Sequence, residues 1–180
     1  MDSIEILNVG ELIIKLQYDF APSSPREMDN LGTITYASHS RQECGDEGMD
    51  TEEMEAIFND PDYICLPVYM YDHSGISMNT TGFSCRFDSG QSSIIYVSRE
   101  DIRKEWGVKR ISKKLLKRVE DNLICEVDTF SKYLNGSVFG YIVESSEGDI
   151  EDSCWGFYGL ENCREEAISS AVCLQSEKVA

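Results

Sequence analysis

Apolar and polar residues change their rhythm several times along this chain, and each rhythm implies an element. Leu12, Ile14 and Leu16 fall on one face of an extended run from Glu11 to Tyr18, after a shorter extended run from Ile4 to Leu7 and a turn at Gly10. Leu31 to Tyr36 resumes an extended pattern. From Leu66 to Val97 three more runs follow: Leu66, Val68, Met70; then Phe83, Cys85, Phe87; then Ile94 to Val97. These read as a meander of three short strands. The period then lengthens to that of a helix. Ile111, Leu115, Val119, Leu123, Val127, Phe130 and Leu134 recur every three or four residues, predicting a long helix from Ser112 that stops at Asn135-Gly136. Val138 to Val143 and Ile150 to Tyr158 read as a hairpin. Leu160 to Leu174, with Ala167, Ile168, Ala171 and Val172, reads as a closing helix that packs back.

Local signals set the ends of these elements. Asp50 with Glu53 makes a capping pair for a short helix through Phe58, whose apolar face is Met54, Ile57 and Phe58. Ser98 with Asp101 opens a second short helix that Gly107 ends. Two prolines in Ala21-Pro22-Ser23-Ser24-Pro25 stiffen the loop that carries Arg26, Glu27, Asp29 and Asn30. The expected class is α+β: one domain over residues 1–180, with an antiparallel sheet of about six to eight strands. The Ser112 to Asn135 helix and the C-terminal helix are expected on one face of that sheet.

Composition narrows the chemistry. No apolar run approaches the ~20 residues of a membrane span, and the start of the chain lacks the basic and apolar parts of a signal peptide. A soluble, cytosolic protein is expected. The seven cysteines form no Cys-x-x-Cys pair and have no histidine at ligand spacing, so neither a zinc site nor a disulfide framework is read here. No phosphate-cradling glycine loop and no Gly-x-Ser-x-Gly elbow is present. The sequence names no cofactor.

Charge is the strongest global feature, with 33 acidic against 16 basic residues and a net charge of −17. Such an excess repels nucleic acid and membrane surfaces and attracts basic protein clefts. Nine acids and no base lie between Gln42 and Asp62. Glu47, Asp50, Glu52, Glu53 and Glu55 read either as a solvated face or as a mimic of a phosphate track that occupies a basic channel. The cations are segregated too. Nine lie between Arg99 and Arg118 against three acids, a net of +6. Arg103, Lys109, Arg110, Lys113, Lys114 and Lys117 read either as solvated helix surface or as a strip that holds an RNA backbone.

Two turns carry carboxylates, Asp72-His73-Ser74-Gly75 and Asp88-Ser89-Gly90. RNA scission needs a base for the 2′-hydroxyl, an acid for the leaving oxygen and a cation for the phosphorane charge. His73 with Asp72 and Asp88 fits the first two roles, and Arg26 fits the third. The plain alternatives are a turn with one imidazole hydrogen bond, and a surface pair between Arg26 and Asp29. A two-metal site would draw on Asp19, Asp29, Asp72 and Asp88, but no spacing selects them. His39 has no evident partner.

The phrases Tyr18-Asp19-Phe20-Ala21-Pro22-Ser23-Ser24-Pro25-Arg26-Glu27-Met28-Asp29-Asn30-Leu31-Gly32, Leu66 to Val97 and Cys154-Trp155-Gly156-Phe157-Tyr158-Gly159 resemble a family of small acidic proteins encoded by bacteriophages and mobile elements. Within it, the resemblance is to anti-CRISPR proteins that act on type II RNA-guided DNA nucleases. It implies action in the cytoplasm of a bacterial host, with the nuclease or its guide RNA as partner. The implied mechanism is cleavage of the guide RNA. The alternative is a non-enzymatic acidic block of a nucleic-acid channel. The resemblance assigns no active-site residue.

Overall fold

The long apolar stripe forms the helix it predicts. The structure is a computed structural model that describes residues 3–38, 43–72, 75–84 and 89–179, the side chains of 89–91 and 177–179 excepted. The chain is α+β. It divides into two compact units, Met1–Ser24 with Gly136–Ala180, and Pro25–Asn135.

The first unit is a four-stranded antiparallel sheet. Its strands are β1 (Glu5–Val9), β2 (Leu12–Tyr18), β8 (Val138–Glu144) and β9 (Ile150–Tyr158), in that order across the sheet. Leu12, Ile14, Leu16, Tyr141 and Val143 form one apolar face, on which helix α4 (Leu160–Val179) packs. The helix approaches through small side chains: Cys163, Ala167 and Ala171 are fully buried. Ile168 and Val172, expected on the packing face, point outward at 38% and 50% exposure. Small residues four apart let the backbone come close, and that choice turns the larger pair to the solvent side. Opposite the helix, Trp155 lies against Gly140, where any β-carbon would collide with its ring. Gly156, at φ +88°, supplies the extra residue of the bulge that brings Trp155 opposite Gly140. Asp152 fastens α4 to this sheet, because its carboxylate accepts hydrogen bonds from the Ser170 and Tyr141 hydroxyls.

The second unit holds a five-stranded mixed sheet in the order β4-β3-β7-β5-β6. The strands are β3 (Thr33–Ala37), β4 (Glu47–Met49), β5 (Tyr63–Asp72), β6 (Ile76–Asn79) and β7 (Ser89–Ser98). Its helices are α1 (Thr51–Asn59), α2 (Arg99–Glu105) and α3 (Lys113–Leu134). Val119, Leu123, Val127 and Phe130 of α3 are buried against Ile34, Ile64, Val68, Ile95 and Val97 of the sheet. Each such side chain contributes roughly 1.5–3 kcal/mol of transfer free energy. The capping box expected at Asp50 is present, with Glu53 N–H donating to Asp50 Oδ1 at 2.9 Å and the reciprocal bond at 3.1 Å.

The strands therefore belong to two sheets rather than one, with α3 on one and α4 on the other. The meander also differs from the expected order. β5 sits between β6 and β7, and the strand after it is Ile76–Asn79 rather than a run beginning at Phe83. Phe83 and Ser84 lie outside any strand, and 85–87 fall outside the described residues. β4 was not anticipated. It has only three residues and pairs in parallel with β3.

Burial in both units makes one pH prediction. It pushes Tyr96 and Tyr141 up to about 12 from an ordinary 10.0, and Cys65 up to about 12 from 9.0. The folded chain thus keeps protons that the unfolded chain releases. Their contribution to stability is complete below pH 9 and is lost as pH rises toward 12. Urea midpoints measured across that range are expected to fall progressively, and a constant midpoint would contradict the burial of these groups.

Candidate nucleic-acid interface

The cations between Arg99 and Arg118 are carried by two helices and the link between them. Ser98 caps α2 by accepting from Asp101 N–H at 3.0 Å. The helix ends where Gly107, at φ +60°, lets the Val108 N–H return to Arg103 O at 3.0 Å. Ser112 caps α3 by accepting from Leu115 N–H at 3.2 Å. Between these caps Trp106, Ile111, Leu115 and Leu116 pack partly buried against the core of the second unit. Those anchors turn the charged side chains outward.

Eight of the nine cations are exposed, and Arg99 is half-buried. Lys117 pairs with Asp121 at 2.8 Å, both largely in water. Such a pair contributes ~0–1 kcal/mol and opens readily. The other exposed cations, including Arg103, Lys109, Arg110, Lys113 and Lys114, make no ion pair among the described residues. Lys113 and Lys114 also stand in the first turn of α3, which carries no acid. Cations there face the positive end of the helix dipole, an arrangement that an incoming anion relieves.

The candidate catalytic residues are placed differently. Arg26, on a single 3-10 turn (Pro25–Glu27), is 8% exposed. Its guanidinium donates to both Asp46 carboxylate oxygens at 2.9 and 2.6 Å, to Glu126 Oε2 at 3.0 Å and to Gly32 O at 2.6 Å. Glu126 in turn accepts from the Leu31 N–H at 2.8 Å, and Asp46 from the Ile34 N–H at 2.7 Å. Burial opposes the charge on Arg26, but the bonds to Asp46 and Glu126 outweigh it and hold its pKa above the ordinary value. Arg26 is a clamp joining the turn, the approach to β4 and the middle of α3. Neither partner is Asp29, the one its position in the sequence suggested.

Asp72 ends β5, exposed, and its charge helps raise the Cys44 thiol after burial has done so. His73, Asp88 and His39 lie outside the described residues. Along α3 the lysines of the strip stand apart from Arg26, whereas Lys104 of α2 lines a cleft together with Glu126. Glu126, which Arg26 grips, lies about 14–20 Å along α3 from Lys117 and Lys113 at ~1.5 Å per residue. Ser131, whose hydroxyl accepts from Met78 N–H of β6 at 2.8 Å, lies a further turn and a half on. Asp19 belongs to the first unit, where it caps a turn by accepting from Ala21 N–H. No group of three or more potential metal ligands gathers among the described residues.

The acidic candidates are all exposed, but three of them have structural work. Asp50 and Glu53 form the capping box, and Glu47 accepts from the Tyr96 hydroxyl at 3.1 Å. Glu52 and Glu55 make no side-chain bond among the described residues. One feature escaped the sequence: a polar cleft of about 460 Å³ between α2, α3 and the loop after the 3-10 turn, with Trp106 and Asn122 in its lining. Its walls come from segments far apart in the chain, and no local pattern announces it. No helix among the described residues is long and apolar enough to cross a membrane. No family model, curated protein or solved structure matches this chain.

Proposed function

We propose that this chain binds the sugar-phosphate backbone of an RNA along the cationic strip of α2 and the first turns of α3. By its resemblance to the anti-CRISPR proteins, that RNA is the guide of a type II RNA-guided DNA nuclease, and its capture inhibits the nuclease. The carrying observation is the set of exposed cations from Arg103 to Lys117, all but one of them without an ion pair among the described residues, on an otherwise strongly acidic chain. A protein needing only solubility has no use for such segregation, whereas a phosphate backbone releases its counterions to it. Scission is a weaker reading, because Arg26 is held in place by two carboxylates and a carbonyl, with four donor contacts to Asp46, Glu126 and Gly32. Incubating the protein with guide RNA and nuclease, then sizing the RNA on a denaturing gel, tests this: intact RNA under full inhibition is expected. Discrete fragments would restore an enzymatic mechanism with a different cation.

A second reading is supported by α1. Its Glu52 and Glu55 are exposed and make no side-chain bond among the described residues, so their charge is available to a basic channel of the nuclease. Reversing both to lysine leaves the capping box intact and is expected to weaken inhibition only if the acidic face makes the contact. On the RNA-binding proposal inhibition is unchanged.

A further inference from the structure

We propose that the cleft between α2 and α3 takes one unstacked guanine of a single-stranded RNA whose phosphates lie on the neighbouring cations; this rests on the RNA-binding reading of the strip. The cleft's chemistry excludes phosphate and favours a base. Asp29 and Glu105 line it with carboxylates that make no side-chain bond among the described residues. A carboxylate is an acceptor only, and it repels a phosphate while meeting N–H donors. Guanine presents two such donors side by side on its Watson–Crick edge, at N1 and N2, and a carboxylate can accept both.

Trp106 gives the cleft an aromatic wall, and its indole N–H has no acceptor among the described residues. RNA recognition uses such side chains to stack bases that have left the helix. The volume of about 460 Å³ accommodates a purine with its ribose. Asn122, also in the lining and exposed, adds an amide that reads a base edge in either sense.

The placement along α3 connects cleft and strip. Lys114, Arg118 and Asn122 stand four residues apart on one ridge of the helix. Passing along that ridge, a strand meets two cations first and the cleft next. Lys104 of α2 borders the cleft from the other side. Phosphates therefore find cations outside, and the base between them finds acceptors within.

The test uses the variant Trp155→Phe, which leaves Trp106 as the sole tryptophan. A guanine-containing strand, an oligoadenylate, an oligouridylate and an abasic strand of equal length are titrated by dye anisotropy and by tryptophan emission. All four are expected to bind with the same salt slope. The guanine-containing strand is expected to bind about tenfold tighter than the abasic one and to quench Trp106. Asp29→Ala and Asn122→Ala, both at exposed positions, are expected to abolish that preference and leave the salt slope unchanged. Equal affinity for guanine-containing and abasic strands, with Trp106 emission unmoved, would overturn the guanine site while the backbone reading stood. Absence of binding by every strand would overturn both.

Discussion

Replacing Arg26 by methionine is expected to lower the stability of the second unit by about 3–5 kcal/mol. The Arg26 side chain is largely buried, and its removal leaves the carboxylates of Asp46 and Glu126, 26% and 11% exposed, without their shared cation. Uncompensated charge away from water is the dominant cost. The loss of the hydrogen bond to Gly32 O adds to it. In a domain of this size the melting temperature falls on the order of 10 °C. The double replacement Arg26→Met with Glu126→Gln is expected to recover part of the loss. Glutamine keeps an acceptor for the Leu31 and Gly32 amides while removing one orphaned charge. Calorimetry on the two variants separates a charge effect from a packing effect. If Arg26→Met melts as the parent does, the clamp contributes nothing. If the variant is stable but loses activity, Arg26 regains a catalytic role.

Leu123→Ala carries the second large effect. Leu123 is fully buried at the centre of the α3 stripe, packed against the sheet core and so close to Gly32 that a β-carbon there would meet it. Truncation leaves a cavity that the surrounding strands cannot collapse into. The expected cost is about 2–5 kcal/mol, read as a shift of the urea midpoint at constant slope. The same change at Leu115, nearer the end of the stripe and only partly buried, is expected to cost distinctly less. Equal costs at both positions would mean that α3 is not seated as described.

These two residues also show how far the amino-acid order could be read. Leu123 was legible because a helix repeats its buried face every three or four positions, so Val119, Val127 and Phe130 announce it locally. Strand β2 was legible because Leu12, Ile14 and Leu16 share one face, and β8 and β9 because the turn residues Ser145 to Asp149 separate two extended runs. Which strands share a sheet is a property of distant partners. β2 pairs with β8 across more than a hundred residues, and nothing between them states it. β4 and β6, of three and four residues, are too short to show a period. Arg26 stands out on its stiff loop, but its ion-pair partners lie 20 and 100 residues away. A nearby acid in sequence such as Asp29 is a poor guide when the clamp is tertiary. Charge segregation from Arg103 to Lys117 was legible as composition, whereas the cleft beside it forms only when α2 and α3 come together.

The proposed role of that cationic strip stands or falls on the salt dependence of RNA binding. Dissociation constants for a single-stranded RNA are measured across salt concentrations for the parent protein and for the triple variant Lys113→Glu, Lys114→Glu, Lys117→Glu. If these lysines touch phosphates, the parent's log affinity falls linearly with log salt, by about 0.7 for each phosphate neutralised, and the variant binds weakly with a slope shallower by about 2. The same slope and affinity in both proteins would show that no phosphate lies there.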